Sequence, residues 1–197
     1  MNYHNAIKFC YLLIVLITVF SCNHKSIDKT INNKMLISDS VICATLNYFV
    51  NDTMIEEFKQ CNRFIDKAGC KVLLREDSLK IVKLDSLFTK VDLDFIFQQD
   101  LYSIHYKHNE CLKGKNLIPS DTLLKFNNLE FWKEFHKRYG KGGFCSISLP
   151  LFSKDLNIVI IKYSFSYGRV WGSGGTFIFK KMGSKWVNIF CLNSWMS

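Results

Sequence analysis

Three residues that can bind transition metals follow one another at intervals of three in the stretch HYKHNEC: His105, His108 and Cys111. Residues three apart share one face of a helix, so the two histidines could hold one metal ion, with Glu110 nearby. Structural zinc uses four ligands, however, and no second ligand pair is evident in the chain. Histidines close to a helix C-terminus also interact favourably with the helix dipole. We therefore predict a solvated helix end, with no metal and no cofactor.

A nucleophilic site needs a cysteine or serine beside a histidine and a group that orients the histidine. Cys145 and His136 flank a glycine-rich break in the sequence and form one such pair. Cys145 lies in a predicted strand, and the chain contains no Gly-x-Ser-x-Gly motif. No feature of the local sequence supports a nucleophilic role for this pair.

Two further patterns lack the context that their chemistry requires. Glu130 and Glu134 stand four residues apart and could do acid–base work. A surface ion pair of Glu134 with Lys137 or Arg138 explains that spacing better. The run GSGG at 172–175 lacks the Gly-Lys-Ser/Thr ending and the following helix of a phosphate-binding loop, so we predict a turn or bulge there. The sequence thus assigns no catalytic residue and favours a protein that is not an enzyme.

The N-terminus is an apolar run that ends on a cysteine. Residues 1–8 are polar, residues 9–20 (FCYLLIVLITVF) are almost wholly apolar, and Ser21 and Cys22 follow. A helix of that length rises about 18 Å, whereas a membrane span needs about 20 residues. The run has the length of a signal-peptide core, which predicts a signal peptide over 1–21. A plain secretory signal and an uncleaved anchor remain the alternatives.

The stretch Val19-Phe20-Ser21-Cys22 resembles the lipobox of bacterial lipoproteins. In that family the cysteine thiol is alkylated with diacylglycerol, the leader is cut before the cysteine, and the new amine receives a fatty acyl chain such as palmitate. The resemblance implies cleavage after Ser21 and lipidation of Cys22. Asn23, rather than aspartate, follows the cysteine, which by analogy favours the outer membrane. Two or more acyl chains give stable anchoring.

Charge is distributed unevenly along the chain. Residues 22–100 contain 11 Lys and Arg against 12 Asp and Glu, whereas residues 101–197 contain 14 against 5, a net charge of +9. In a cytoplasmic protein such a half would suggest nucleic acid. The export signal argues against that partner and leaves lipid headgroups, envelope glycans or an acidic envelope protein. A solvated lysine-rich surface is the alternative.

Six cysteines remain in the expected mature chain: Cys43, Cys61, Cys70, Cys111, Cys145 and Cys191. The periplasm permits disulfides, but the sequence alone cannot choose among the many possible pairings. Cys61 and Cys70 are the local pair that we expect to form a disulfide, if one forms. Alternatively, most of these cysteines pack as small buried apolar side chains.

The mature chain reads as a tether followed by one domain. Residues 22–37, the lipidated cysteine and a polar stretch without periodicity, predict a flexible tether, and residues 38–197 predict a single domain. Apolar residues at helical spacing predict helices over the following segments: 39–50, 54–67, 92–107 and 129–139. A short strand is predicted at 71–74.

The last third alternates between apolar and polar residues, as strands do. Strands are predicted over 143–149, 156–167, 176–181 and 185–195, with turns at 172–175 and 182–184. In the longest strand one face carries Val159, Ile161, Tyr163, Phe165 and Tyr167. Short connections indicate an antiparallel meander. The expected fold is α+β, with N-terminal helices packed on a C-terminal antiparallel meander of three to five strands.

The C-terminal third also carries a pattern of scattered motif residues. It consists of Ser148, Pro150, Phe152, Ser153 and Asp155, then Gly172, Gly174, Gly175, Lys181, Lys185, Trp186 and Trp195. This pattern resembles small uncharacterised envelope lipoproteins of diderm bacteria. The resemblance implies an envelope lipoprotein and no known activity. All of these residues also have ordinary structural uses, such as tryptophans that fill the core.

Together these patterns predict a lipid-anchored cell-envelope protein that acts as a binding module. The aromatic strand face or the basic half would be its contact surface. An envelope hydrolase with a nonlocal active site and a periplasmic inhibitor or immunity-type protein are the alternatives. A deep cleft with converging histidines, cysteines or carboxylates would favour the hydrolase, and a shallow surface would favour the binding module.

Overall fold

Apolar residues at helical spacing produce the first helix, α1 (Asp39–Asn51), where the sequence predicts one. The computed structural model describes residues 36–51, 55, 58–59, 61–67, 71–103, 106–107, 110–112, 114–123, 125, 130–168 and 171–197. Leu46 and Phe49 of α1 are fully buried. The ring of Phe49 lies 4.6 Å from that of Phe179 and 6.2 Å from that of Trp186, so α1 packs on the C-terminal strands.

Four further helices are present in the described part of the chain. They are α2 (Arg75–Val82), α3 (Lys90–Ser103), α4 (Ser120–Leu123) and α5 (Phe131–Tyr139). The predicted helix at 129–139 is confirmed as α5, although Leu129 lies outside the described residues. Gly140, with φ of 82°, ends α5, since this backbone conformation favours glycine. The guanidinium of Arg63 donates hydrogen bonds to the carbonyls of Tyr139 and Lys141 and so holds the chain just after the helix.

In the part of the chain that the structure describes, seven strands form one sheet. They are β1 (Arg63–Ile65), β2 (Asn116–Ile118), β3 (Phe144–Ile147), β4 (Leu151–Phe152), β5 (Ile158–Ser166), β6 (Gly172–Met182) and β7 (Lys185–Met196). The strand order is β2-β1-β3-β5-β6-β7, and β4 pairs with β5. Pairing is parallel between β1 and β2 and between β1 and β3, and antiparallel elsewhere.

The fold is therefore α+β, as the sequence predicts. The sheet is mixed and has seven strands, which exceeds the expected three to five. Strands β5, β6 and β7 are joined by short connections and pair antiparallel along their length. The additional strands β1 and β2 are three residues each, too short to show a period of two in the sequence.

Two N-terminal predictions are wrong. The expected helix over 54–67 contains strand β1, because Phe64 is fully buried between Leu117 of β2 and Cys145 of β3. The expected strand at 71–74 is an irregular segment that leads into α2. Its buried amides at Val72 and Leu73 donate to the carboxylate of Asp100 instead of a neighbouring strand.

The helix expected over 92–107 is α3, but its buried face differs from the predicted one. Ile96 is buried as expected, whereas Leu101 is exposed and the neighbouring Gln99 and Asp100 are buried. Gln99 completes the edge of β4: its Nε2 donates to the carbonyl of Phe152, and the amide of Phe152 donates back to its Oε1. The polar residues of α3 thus replace missing backbone hydrogen bonds.

The run GSGG does not form the expected turn. Residues 172–175 begin β6 and pair with both neighbouring strands, Gly174 with Ser164 on one side and with Trp195 on the other. The tight turn predicted at 182–184 is confirmed, with Gly183 at a φ of 63° between β6 and β7.

Candidate functional site

The three long strands end together in a cluster of exposed aromatic and apolar side chains. Tyr167 follows β5, Trp171 precedes β6, and Trp195 and Met196 end β7. Their exposed fractions are 54%, 72%, 47% and 88% respectively. We call these four residues the aromatic end. Cross-strand pairing of Ser166 with Gly172 and of Ser173 with Met196 brings them to one end of the sheet, where Trp195 and Met196 face opposite sides because strand residues alternate.

The indole ring of Trp195 packs against Gly172 and Gly174 of β6. A Cβ atom on Gly174 would lie 3.0 Å from Trp195 Cε2, and one on Gly172 would lie 3.1 Å from Trp195 Cζ3. Both glycines face the indole because alternate strand residues share a face. Glycine is required here for this close approach, and not for a turn. One face of the indole covers the strand, and nearly half of the side chain stays open to solvent.

Beside the aromatic end lies an open hollow of about 560 Å³. It is lined by Phe165, Trp171, Gly172, Ser173, Met196 and Ser197. An adjoining hollow of about 330 Å³ has Tyr163 and Phe177 in its wall, whose rings stack at 4.7 Å. The volumes are in the range of small-ligand sites, but both hollows are shallow and mainly apolar. Such a surface suits contact more than catalysis.

The strand face beneath Trp195 also carries hydroxyl groups. Ser146 and Ser164 lie side by side on β3 and β5, with their hydroxyl oxygens hydrogen-bonded at 2.7 Å. Ser164 is the residue paired with Gly174, so its hydroxyl belongs to the surface next to the indole. The described residues of β5, β6 and β7 include four lysines and no carboxylate. Aromatic rings and uncharged hydroxyls therefore dominate this end of the sheet.

The lipidation and metal predictions fall largely outside the described residues. Ser21, Cys22, His105 and His108 all lie there. Cys111 is described, and it forms a disulfide with Cys43 of α1, with their Cα atoms 4.4 Å apart. Among the described residues, no three His, Cys, Asp or Glu side chains are grouped as ligands of a metal ion.

The proposed pair of Cys145 and His136 cannot form a nucleophilic site. Cys145 is fully buried and bonded to Cys61, and a disulfide sulfur has no thiolate to attack with. The expected pairing of Cys61 with Cys70 is therefore wrong as well. Strands β1 and β3 are neighbours, which brings Cys61 and Cys145 together from positions 84 residues apart. Cys70 lies outside the described residues.

Glu130, one of the two glutamates considered for acid–base work, is in a surface ion pair. Glu130 precedes the helix, and its carboxylate accepts hydrogen bonds from the ammonium of Lys133 at 3.1 and 3.2 Å. This pair replaces the one expected between Glu134 and Lys137 or Arg138. Both partners are largely exposed, so the ion pair contributes little to stability.

Sequence reasoning missed the buried polar residues. Asp77, on the buried face of α2, accepts hydrogen bonds from the amide of Leu74 and from the side chain of Asn193 on β7. Asp100 accepts from two backbone amides and from the hydroxyl of Ser103. No local pattern distinguishes these carboxylates from surface ones, because their partners are distant in sequence. Both carboxylates therefore accept hydrogen bonds from backbone amides and side chains that they hold in place.

Three groups have shifted pKa values with structural causes. The hydroxyl of Thr89 lowers the pKa of Asp92, and the hydroxyl of Ser153 lowers the pKa of Asp155. Burial next to the Cys43–Cys111 disulfide, aided by the nearby charge of Asp39, raises the pKa of Tyr106 to about 12. None of the three lies at the aromatic end, and each shift follows from local packing.

No family model, curated protein or solved structure matches this chain. In the part of the chain that the structure describes, no helix has both the length and the apolar character to cross a membrane.

Proposed function

We propose that this chain is a lipid-anchored cell-envelope protein, exported from the cytoplasm and attached to a membrane, the outer membrane being favoured, through Cys22. The two disulfides support export. They join distant segments of the domain, with separations of 68 and 84 residues. Such structural disulfides persist in oxidising compartments such as the periplasm and are rare in the cytosol. Because this location lies outside the cytoplasm, we propose no nucleic-acid partner.

We further propose that the domain is a binding module whose contact surface is the aromatic end. The observation that carries this proposal is the exposure of Trp171 and Met196 together beside the hollow of about 560 Å³ at one end of the sheet, with Trp195 exposed on the opposite face. Tryptophan and tyrosine supply a large contact area at a low entropic cost and dominate binding energies at interfaces. Exposed apolar patches on soluble domains mark interaction sites. An envelope protein or an envelope glycan would supply the partner.

Binding is favoured over hydrolysis because, among the described residues, the cysteine considered as a nucleophile and the buried carboxylates have structural partners. Cys145 is in a disulfide, and the buried Asp77 and Asp100 hold backbone and amide groups. The hollows beside the aromatic end are lined by rings, glycines and serines. An inhibitor or immunity-type role would use the same surface and would show as one tight protein partner.

A photo-crosslinking experiment tests the proposed surface. A photoreactive phenylalanine derivative replaces Trp171 in the full-length protein expressed in its native cells, and in a control it replaces Leu79 of α2, which is also well exposed. We expect one defined adduct from position 171 that is absent from position 79 and is lost when Met196→Ala is added, because Met196 lines the same hollow as Trp171. A protein adduct and a glycan adduct are distinguished by protease and glycosidase treatment.

Two results would count against the binding module. The first is equal adduct formation from both positions, or none from either. The second is turnover of an envelope substrate by the purified protein that vanishes on changing one side chain, which would establish the hydrolase instead. Thermal melting of each variant verifies that it is folded.

A further inference from the structure

Lysines cluster at the end of the sheet opposite the aromatic end. Strand β6 contains 11 residues and spans about 35 Å at about 3.3 Å per residue. Lys180 and Lys181 lie near its far end, and Lys185 begins β7 just after the turn. All three are exposed, and Met182 at the turn has an exposed fraction of 55%.

A fourth lysine joins this cluster from a different segment. The turn at 153–157 lies against β6, because the amide of Lys181 donates to the carbonyl of Asn157 at 2.8 Å. Lys154 is exposed on that turn. We call Lys154, Lys180, Lys181 and Lys185, together with Met182, the basic tip.

Two carboxylates lie at the edge of the basic tip. Asp155 accepts hydrogen bonds from the Ser153 hydroxyl and from Asn157, and Asp92 accepts one from the amide of Lys154. Four positive and two negative side chains leave a net charge of +2. The carboxylates are held in hydrogen bonds to the fold, whereas the four lysine side chains are exposed, with the ammonium of Lys181 lying 6.0 Å from the centre of the Trp186 ring.

Helix α1, the first helix of the described residues, lies beside the basic tip. Helix α1 starts three residues after Leu36, the first described residue. Val41, Ala44 and Tyr48 of α1 line an open hollow of about 340 Å³ together with Leu156, Lys181 and Ser184. Thirteen residues separate Cys22 from Leu36, and fully extended they would span at most about 50 Å. A lipid on Cys22 would therefore hold the domain within that distance of the membrane surface.

We propose that the basic tip docks on the anionic phospholipid headgroups of the membrane that holds Cys22. This inference rests on the lipid anchor of the proposed function. Basic side chains next to an anchor are attracted to anionic headgroups. Each such side chain near the surface raises the binding constant for the membrane by about fivefold. Met182 enters the interface at the centre of the lysines. Docking at this tip directs the aromatic end away from the bilayer, toward the partner.

Lysine footprinting of the full-length, membrane-extracted protein tests the docking. The protein is reconstituted in vesicles of equal parts phosphatidylethanolamine and phosphatidylglycerol, or of phosphatidylethanolamine and phosphatidylcholine. An amine-reactive acetylating reagent is added briefly, and mass spectrometry gives the labelling of each lysine. Lys133, Lys137 and Lys141 serve as internal controls, because they are exposed on and after α5, which packs beside the aromatic end through Phe144.

On anionic vesicles we expect labelling of the four basic-tip lysines to fall by about fivefold or more, while the control lysines are unchanged. High salt should restore the labelling, because it screens the attraction. Equal labelling of the basic-tip lysines on the two vesicle types would refute the docking and leave the anchor standing. This holds whether the lysines are labelled freely on both compositions or protected on both, because protection on both would indicate a contact that does not depend on lipid charge. Failure of the protein to float with vesicles would refute the anchor and the docking with it.

Discussion

Replacing Gly174 by alanine tests whether residues 172–175, at the aromatic end, form a strand or a turn. The structure places Gly174 inside β6, under the indole of Trp195. An added Cβ would lie 2.8 Å from the Cβ of Ser164, 2.8 Å from the carbonyl oxygen of Tyr163 and 3.0 Å from Trp195 Cε2. Two of these three neighbours belong to the rigid strand β5 and cannot rotate away.

Overpacking of this kind costs about 1–3 kcal/mol. We therefore expect Gly174→Ala to lower the free energy of unfolding by that amount and Gly174→Asn to lower it further. Gly183 provides the control, because it lies in a true turn with φ of 63° and a Cβ there meets no atom within 4 Å. Gly183→Ala should cost about 1 kcal/mol from its backbone conformation alone, and Gly183→Asn less, since asparagine tolerates that conformation.

Urea unfolding followed by circular dichroism measures each free energy, and tryptophan fluorescence reports the displacement of Trp195. In a Trp195→Ala protein, Gly174→Ala should lower the free energy of unfolding by less than it does in the native protein, because one of the three close contacts is already absent. The strand assignment is refuted if asparagine is tolerated better than alanine at position 174, as it would be in a left-handed turn.

Three other predictions concern the framework of the domain. Replacing Cys43 and Cys111 together by serine should cost about 4 kcal/mol, because their disulfide closes a loop with a separation of 68 residues, and urea unfolding measures the loss. Asp100→Ala should cost about 2–5 kcal/mol by leaving buried amides without an acceptor, whereas Asp100→Asn, which keeps an acceptor oxygen, should cost clearly less in the same assay. Because the Ser153 hydroxyl lowers the pKa of Asp155, this carboxylate stabilises the fold above the unfolded pKa of about 3.9, and the stabilisation is lost as pH falls through the lowered folded value; Asp155→Asn should remove that part of the acid dependence of the urea midpoint.

The sequence predicts those elements whose signal is local. Helix α1 carries apolar residues at helical spacing, α5 ends at a glycine, and β5 alternates over half of its length. These patterns act within a few residues, so the fold follows them. Strand β1 escapes prediction because its three residues become a strand only between two distant partners. The disulfide from Cys61 to Cys145 depends on that same strand pairing.

The aromatic end was only partly predictable. The alternating aromatic residues of β5 indicate a surface of rings, but the sequence assigns Trp195 to the core and residues 172–175 to a turn. The spacing Gly172-x-Gly174 places two glycines on one strand face, which is the available signal for a ring lying across the strand. The serines beneath the ring carry no signal, because their neighbours come from other strands.

The most direct test of the lipid-anchored assignment is the intact mass of the protein extracted from membranes, measured beside a Cys22→Ser variant. We expect the native chain to begin at residue 22 and to carry the added mass of a diacylglyceryl group and an acyl chain, and the variant to lack both. A native chain that keeps residues 1–21, or that is cut without gaining lipid, would contradict the anchor.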